Sequence, residues 1–386
     1  MKKLAVITTH PIQYYAPVFK LLHERGKVEI MVYYTWGEQA KDKFDPGFGA
    51  TIAWDIPLLE GYPFTWVKNT AQDAGSHHFK GIFNPGLIQQ VQDWKPDAVL
   101  IFGWAYQSHL KCLRYFKGRR PVYFRGDSTL LDESKGLKKI FRSFFLKWVY
   151  KHVDCAFYTG SNNKDYFKKF GLTDKQLVFA PHAVDNDRFS ADRSTEAKAL
   201  RKQLNIGEID ILVLFAGKLE DKKSPMELLD AFASLNKPGM HLLFAGNGQL
   251  EEKLKLKAVD LKNIHFTGFQ NQTVMPVIYQ ACDLFCLPSK GPGETWGLAV
   301  NEAMACGKAV LLSDKVGCAV DLVKKSYNGD IFEGGNRDAL ENSLTCLTQS
   351  KTRLIEMGRN SAAMINEWSF LNIAQAIEDK LTHASA

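Results

Sequence analysis

The feature that most limits the folds open to this chain is a repeated pair of segments: a short, continuously apolar, β-branched run, then an amphipathic stretch. Such runs lie at Leu4–Thr8, Val28–Tyr34, Ala98–Gly103, Val122–Phe124, Cys155–Thr159 and Val178–Ala180. A second series follows at Ile211–Ala216, His241–Ala245, Ile264–Thr267, Leu284–Leu287 and Ala309–Leu312. A strand that is apolar at nearly every position must be covered on both faces. Helical patterns separate the runs, for example Pro17–Glu24, Leu87–Trp94, Leu137–His152, Pro225–Leu235 and Leu298–Ala305. This alternation implies an α/β protein with parallel, doubly wound sheets. The two series are divided near residues 185–200, where DNDRFSADRSTEAKALRK is polar and charged, as a linker or exposed helix is. At 386 residues the chain suits two domains. The simplest expectation is two Rossmann-like halves facing a cleft, with ligands beyond the carboxyl ends of the strands.

Composition narrows the class. Hydrophobic residues at 45% and charged residues at 24% describe a folded chain, not a disordered one. A net charge of +7 favours anionic partners such as nucleotides, phospholipid surfaces or nucleic acid, and is equally compatible with ordinary solubility charge. The opening MKKLAVITTHP has too short an apolar run for a secretory signal, and no run approaches the ~18 apolar residues of a membrane span. The expectation is a cytoplasmic chain, free or peripheral at the inner membrane face. Of the seven cysteines, Cys155, Cys282 and Cys286 sit in apolar runs, as reduced, buried cysteines do. Cys282 and Cys286 are four apart but have no histidine nearby to complete a zinc set, so no metal is expected.

Two loops carry chemistry. GKLEDKKSPMELL (217–229) follows the run Ile211–Ala216, and its Ser224, Pro225 and Glu227 read as N-cap, N1 and N3 of a capping box. The loop before that helix holds Lys218, Lys222 and Lys223. Cations beside a helix N-terminus can clamp a diphosphate; the alternative is solvated surface lysines. LPSKGPGETWGLAVNEAMACGKAV (287–310) is more specific: a Gly-rich turn leads to Glu294, a helix starts near Gly297, and Glu302 sits in its second turn. Lacking a Cβ, Gly297 lets an anion approach its own amide and that of Leu298. The two carboxylates can reach opposite ends of one extended ligand, such as a hexose and a ribose joined by a diphosphate. The alternative is an acid that only answers the helix dipole.

Glu294-x7-Glu302 within PSKGPGETWGLAVNEAMACGKAVLLSD resembles the E-x7-E motif of family 4 glycosyltransferases. FAGKLEDKKSP, LLFAGNGQLEEKL, IHFTGF, YQACDLFCLPS, VFAPHAVDNDRF and the C-terminal EWSF resemble further segments of that family, in its order. THPIQYYAP, FDPGFG and WDIPLLEGY look like a bacterial, cell-surface-glycan subgroup. The resemblance implies a GT-B fold and retaining transfer from a nucleotide sugar, usually without a metal. It implies an acceptor-side domain over 1–188, with 370–386 packing back on it, and a nucleotide-sugar domain over 189–369. Lys218, where the family usually has Arg, and Lys223 would hold the diphosphate. Glu294 would contact the donor sugar and Glu302 the ribose. Trp296, Gly297 and Leu298 would offer amides, and turns at Gly217, Gly246 and Gly268 would border the donor. The family's PNG appears as Pro181-His182-Ala183, with His182 on the donor side. Its catalytic histidine segment appears as Arg125-Gly126-Asp127. Arg125 stays protonated and cannot be a base. It could attract a phosphate or an acidic acceptor, with Asp127 orienting the acceptor hydroxyl; the alternative is a surface ion pair. His10 and Pro11 follow the first run and should face the cleft, for phosphate or acceptor contact or as a local cap.

Two stretches stand apart. Thr35–Thr70 is aromatic, Gly/Pro-punctuated and irregular, and reads as an acceptor-binding or a packed loop. KGLKKIFRSFFLKWVYK (135–151) has six Lys/Arg and no acid, and Ile140, Phe141, Phe144, Phe145, Trp148 and Val149 approximate one helical face. It suits an interfacial helix with weak peripheral membrane contact, or a packed helix with a basic outer side. No recognition motif points to nucleic acid. The expected activity is transfer of a sugar from a UDP- or GDP-sugar to a glycan or lipid-linked acceptor hydroxyl. The rivals are a GT-B epimerase or phosphorylase, which would act without an acceptor or release free sugar, and a non-catalytic nucleotide-sugar-binding protein.

Overall fold

The computed structural model describes residues 1–38, 44–45, 50–51, 53–131 and 136–383. Residues 46–49 of the FDPGFG motif and Lys135 of the basic stretch lie outside the described residues. The chain forms two compact units: Met1–Lys43, Ile56–His182 and Phe370–Ala386 make one, Phe44–Asp55 and Ala183–Ser369 the other.

The first unit is a seven-stranded parallel sheet. Its strands are β1 (Lys2–Thr8), β2 (Val28–Tyr34), β5 (Phe64–Trp66), β6 (Ala98–Phe102), β7 (Val122–Arg125), β8 (Cys155–Tyr158) and β9 (Leu177–Phe179), in the spatial order β5-β2-β1-β6-β7-β8-β9. The short hairpin β3 (Phe44–Asp45) and β4 (Ala50–Thr51) stands outside this sheet. Leu4, Ala5, Val6 and Ile7 are all fully buried, which is why β1 is apolar without alternation. Helices α1 (Ala16–Arg25), α2 (Gln107–Phe116) and α3 (Leu137–Tyr150) lie between the strands in sequence. Strand β5 escapes a sequence reading: three half-buried residues, FTW, carry too short a pattern.

The second unit is a six-stranded parallel sheet of β10 (Ile211–Ala216), β11 (Met240–Ala245), β12 (Ile264–Gly268), β13 (Leu284–Leu287), β14 (Ala309–Ser313) and β15 (Gly329–Phe332), in the order β12-β11-β10-β13-β14-β15. Strand β15 was also illegible in the sequence: GDIF begins at Gly329, where an added Cβ would stand 1.9 Å from the Val310 carbonyl of β14. Helices α4 (Pro225–Leu235), α5 (Met275–Ala281) and α6 (Leu298–Ala305) are the ones that matter for the site. The polar segment after residue 185 is not a loose linker. It forms helices Asn186–Ser190 and Ser194–Gln203, and the Asp185 carboxylate caps the first by accepting from the Arg188 amide.

The last helix, α7 (Phe370–His383), belongs to the first unit. Its Glu378 is buried and receives two hydrogen bonds from the Arg25 guanidinium, at 2.8 and 2.9 Å. A buried carboxylate needs that fork, because leaving it alone would cost several kcal/mol. Five of the seven cysteines are buried, one is half-buried and one exposed, and all are free. No helix among the described residues is long and apolar enough to cross a membrane.

Candidate functional site

In the second sheet the strand order runs outward from the middle: β11 and β12 follow β10 on one side, β13 to β15 continue on the other. The sense of the connections reverses between β10 and β13. Loops leaving the carboxyl ends of two such strands part to opposite faces and leave a crevice. Here those loops are residues 217–224 and 288–297, the two that the sequence marks as chemical.

Backbone bonds tie the rim of this crevice together. The Gly246 amide donates to the Gly268 carbonyl at 2.7 Å, Gly217 to Ala245 at 2.9 Å, Leu219 to Asn247 at 2.9 Å, and Lys290 to Lys222 at 2.9 Å. Gly246 has φ +134°, and a Cβ there would lie 2.1 Å from the Gly217 carbonyl oxygen. The glycine is required because two main chains touch at that point.

Between the loops, the Lys223 ammonium donates to Glu294 Oε2 at 2.5 Å, and the Ser289 hydroxyl donates to the same oxygen at 3.2 Å. Both charged groups are largely shielded, with side-chain exposures of 15% and 9%. A short, charge-assisted contact in such shelter fixes the position of both groups. Lys218 stands half-buried at the start of the first loop. Lys290 leans away, toward Asp221 at 3.1 Å and Glu227 at 3.6 Å. Glu302 is buried on α6, and its Oε2 accepts from the Tyr279 hydroxyl of α5 at 2.8 Å.

Three expectations change in detail. Ser224 is at the N-cap of α4 but with φ +53°; its hydroxyl is buried and makes no cap bond, so there is no capping box and the start rests on Pro225. Gly297 is buried at the N-cap of α6 with φ +95°, and a Cβ would meet Val316 Cγ1 at 2.9 Å and Leu287 Cδ2 at 3.2 Å. The residue is therefore dictated by backbone hand and internal packing as much as by ligand access. Leu298 beside it is half-buried. Trp296 is buried, with its indole N–H on Asn301 Oδ1 at 2.8 Å, and the ring itself serves the loop's packing. Ser289, Tyr279 and Asn301 were not singled out from the sequence. Ser289 lies inside a motif that was read, but which way it points depends on the loop's turn.

The first sheet has its own reversal, between β1 and β6. His10 and Pro11 follow β1 there. His10 Nδ1 lies 2.8 Å from the Thr9 hydroxyl, and its ring meets Trp36 edge-on at 5.3 Å. Arg125 ends β7 and corrects the expectation of a cation that attracts a phosphate or acidic acceptor, or forms a surface ion pair: it is buried, and its guanidinium donates to the Ala180 and Pro181 carbonyls at 2.8 and 2.9 Å. A buried guanidinium must fill its donors, and here carbonyls at the end of β9 do so. His182 lies in the first unit, buried and stacked on Tyr15 with ring centroids 6.2 Å apart. Burial first, and then the Arg125 charge, hold the imidazole well below its usual range, so it is neutral at pH 7. Burial pushes the Tyr15 hydroxyl up to about 12 despite Arg125. Asp127 is about half exposed, 4.0 Å from His182 Nε2.

Residues 196–364 match the family described as Glycosyl transferases group 1. Over nearly its whole length, 99%, the chain superposes on all of the Anabaena HepE structure in complex with UDP and glucose, with TM-score 0.71 and 19% identity. Sucrose-phosphate synthase from Thermosynechococcus elongatus superposes with TM-score 0.73 at 18% identity, covering all of both chains. The chain has the GT-B fold, and within it residues 196–364 resemble the group 1 glycosyl transferases. Among curated relatives, the N,N'-diacetylbacillosaminyl-diphospho-undecaprenol alpha-1,3-N-acetylgalactosaminyltransferase of Campylobacter jejuni is 25% identical over 219 residues, 56% of this chain and 57% of that one. A GDP-mannose-dependent monoacylated alpha-(1-6)-phosphatidylinositol monomannoside mannosyltransferase of Corynebacterium glutamicum is 26% identical over 234 residues, 58% of this chain and 61% of that one. The chain thus spans about three-fifths of the length of these relatives. The matched residues include both loops of the crevice, where the family 4 resemblance is concentrated.

Proposed function

We propose that this chain is a retaining glycosyltransferase. It moves a sugar from a UDP- or GDP-sugar to a hydroxyl of a glycan or lipid-linked acceptor, in cell-surface polysaccharide synthesis at the inner membrane face. The observation that carries this reading is the pair of stapled loops at the reversal between β10 and β13, with Lys223 locked to Glu294 beside the tip of α6. The names of the relatives point the same way, one acting on a diphospho-undecaprenol-linked sugar and another using GDP-mannose.

In this reading residues 189–369 bind the donor, and residues 1–188 with 370–386 serve the acceptor. Lys218, Lys223 and the amides of Gly297 and Leu298 take the diphosphate and stabilise the charge on the leaving group. Lysine replaces the family's arginine at 218, so the contact is a point charge rather than a fork. Glu294 accepts from sugar hydroxyls and Glu302, steadied by Tyr279, from the ribose. Gly217, Gly246 and Gly268 form the close-approach rim. Asp127 orients the acceptor hydroxyl. No protein nucleophile is assigned, so transfer is front-face, and no metal takes part.

The test begins with thermal shift against UDP-, GDP-, ADP- and dTDP-sugars, since a bound donor raises the midpoint by mass action. The selected donor is then incubated with a lipid-linked acceptor, with and without EDTA, and the new linkage is read by NMR. Retention of configuration, undiminished by EDTA, is expected. Epimerised sugar nucleotide or free sugar formed without acceptor overturns the reading.

A further inference from the structure

The sequence left α3 as either a packed or an interfacial helix, and side-chain burial separates the two. Phe141 is 75% exposed, Phe144 70%, Ile140 51%, Phe145 40% and Trp148 36%, whereas Leu146, Val149 and Tyr150 are buried. Val149, expected on the aromatic face, lies at its edge and is buried in the core. With about 100° of turn per residue, Phe141, Phe144, Phe145 and Trp148 fall in one stripe about 100° wide. Exposed Lys147 and Lys151 flank one edge of it, while on the other side the Arg142 guanidinium packs over the Tyr166 and Phe170 rings at 5.9 Å. From α2, the Arg114 guanidinium sits over the Trp148 ring at 5.4 Å. An aromatic stripe beside a row of cations is the arrangement of a helix that lies flat in a bilayer interface. The cations match an anionic lipid surface, not an apolar protein groove.

We propose that α3 is a membrane-docking surface: its Phe141/Phe144/Trp148 stripe enters the interface of an anionic bilayer while Lys147 and Lys151 meet lipid phosphates. This deepens the peripheral-membrane part of the function proposed above and rests on it. It also gives that part an orientation. Helix α3 follows the carboxyl end of β7, so the docking surface starts at the same sheet edge as Asp127, where a lipid-borne acceptor would be presented. Docking needs neither donor nor turnover.

The test uses the full chain without nucleotide, sedimented with vesicles of 3:1 phosphatidylcholine and phosphatidylglycerol, and with phosphatidylcholine alone. Strong binding only to the anionic vesicles is expected. F141S/F144S should weaken it about 100-fold, near tenfold for each buried aromatic, and K147Q/K151Q roughly 10- to 30-fold, with steep relief by salt. Donor-induced thermal shifts of both variants should equal those of the parent, which separates a failure of docking from a failure of the donor site. Equal binding of parent and F141S/F144S, or equal binding to neutral vesicles, overturns the proposal. So does a dimer in gel filtration that F141S/F144S converts to monomer, because the stripe would then cover a second copy.

Discussion

The two sheets reverse their winding in the same way, between β1 and β6 in one and between β10 and β13 in the other, yet their carboxyl edges are furnished differently. The second unit's edge concentrates charge in a confined space: Lys218, Lys222, Lys223, Lys290, Asp221 and Glu294 within two loops. In the first unit, the residues marked at this edge are nearly silent. Arg125 is sealed under carbonyls, His182 is neutral, Tyr15 keeps its proton, and His10 rests against Trp36. Topology decides where a ligand can sit, and the loops decide whether it is a polyanion or a neutral hydroxyl compound.

The sharpest way to break this contrast is to disarm each edge in turn. Glu294→Gln or Lys223→Ala should lower kcat/KM about 10²- to 10³-fold, on the scale of losing one preorganised electrostatic partner. Asp127→Asn should cost only about tenfold, on the scale of one hydrogen bond that orients the acceptor hydroxyl. An Asp127 effect equal to that of Glu294 would erase the distinction. Backbone demands give the next largest difference. Gly246→Ala drives a Cβ into the Gly217 carbonyl, so about 2–4 kcal/mol and some 5–15 °C of Tm should be lost. Gly103→Ala in the first unit meets nothing within 4 Å, and should cost only the positive φ, about 1 kcal/mol. Equal Tm losses would show that the rim is not stapled.

Acid should then find the first unit. Burial lowers His109 to about 4, while its unfolded value is near 6.5. The unfolded chain therefore binds a proton that the folded one refuses, and stability falls as pH drops below about 6.5. His109 should account for about 2 kcal/mol between pH 7 and pH 5, with His182 acting in the same direction. Urea unfolding across that range should show the loss, and His109→Gln should flatten the slope. The smallest effect expected is that of Tyr279→Phe, which frees one oxygen of Glu302: donor Kd should rise about five- to tenfold with kcat unchanged. An unchanged Kd would remove Glu302 from the donor site.

How much of this was readable in the chain differs with the physics involved. The strands of the second sheet up to β14 were legible because burial on both faces forces unbroken apolar runs. Strands β5 and β15, three and four residues long, carry no such pattern. The crevice loops were legible because glycines, lysines and acids crowd at fixed offsets from strand ends. The roles of Arg125 and His182 were not, since a charged residue at a strand end reads the same whether it faces water or a ring of carbonyls.

By itself the sequence determined the doubly wound α/β class, the position of the two chemical loops and the aromatic-basic character of the stretch at 135–151. Those properties are periodic or local, set by which neighbours along the chain must be buried together. Tertiary structure alone decided that Lys223 meets Glu294, that Arg125 is spent on main-chain carbonyls, and that the aromatic stripe of α3 is left facing solvent. Each of these depends on where segments far apart in sequence come to lie, and on which side chain is then cut off from water.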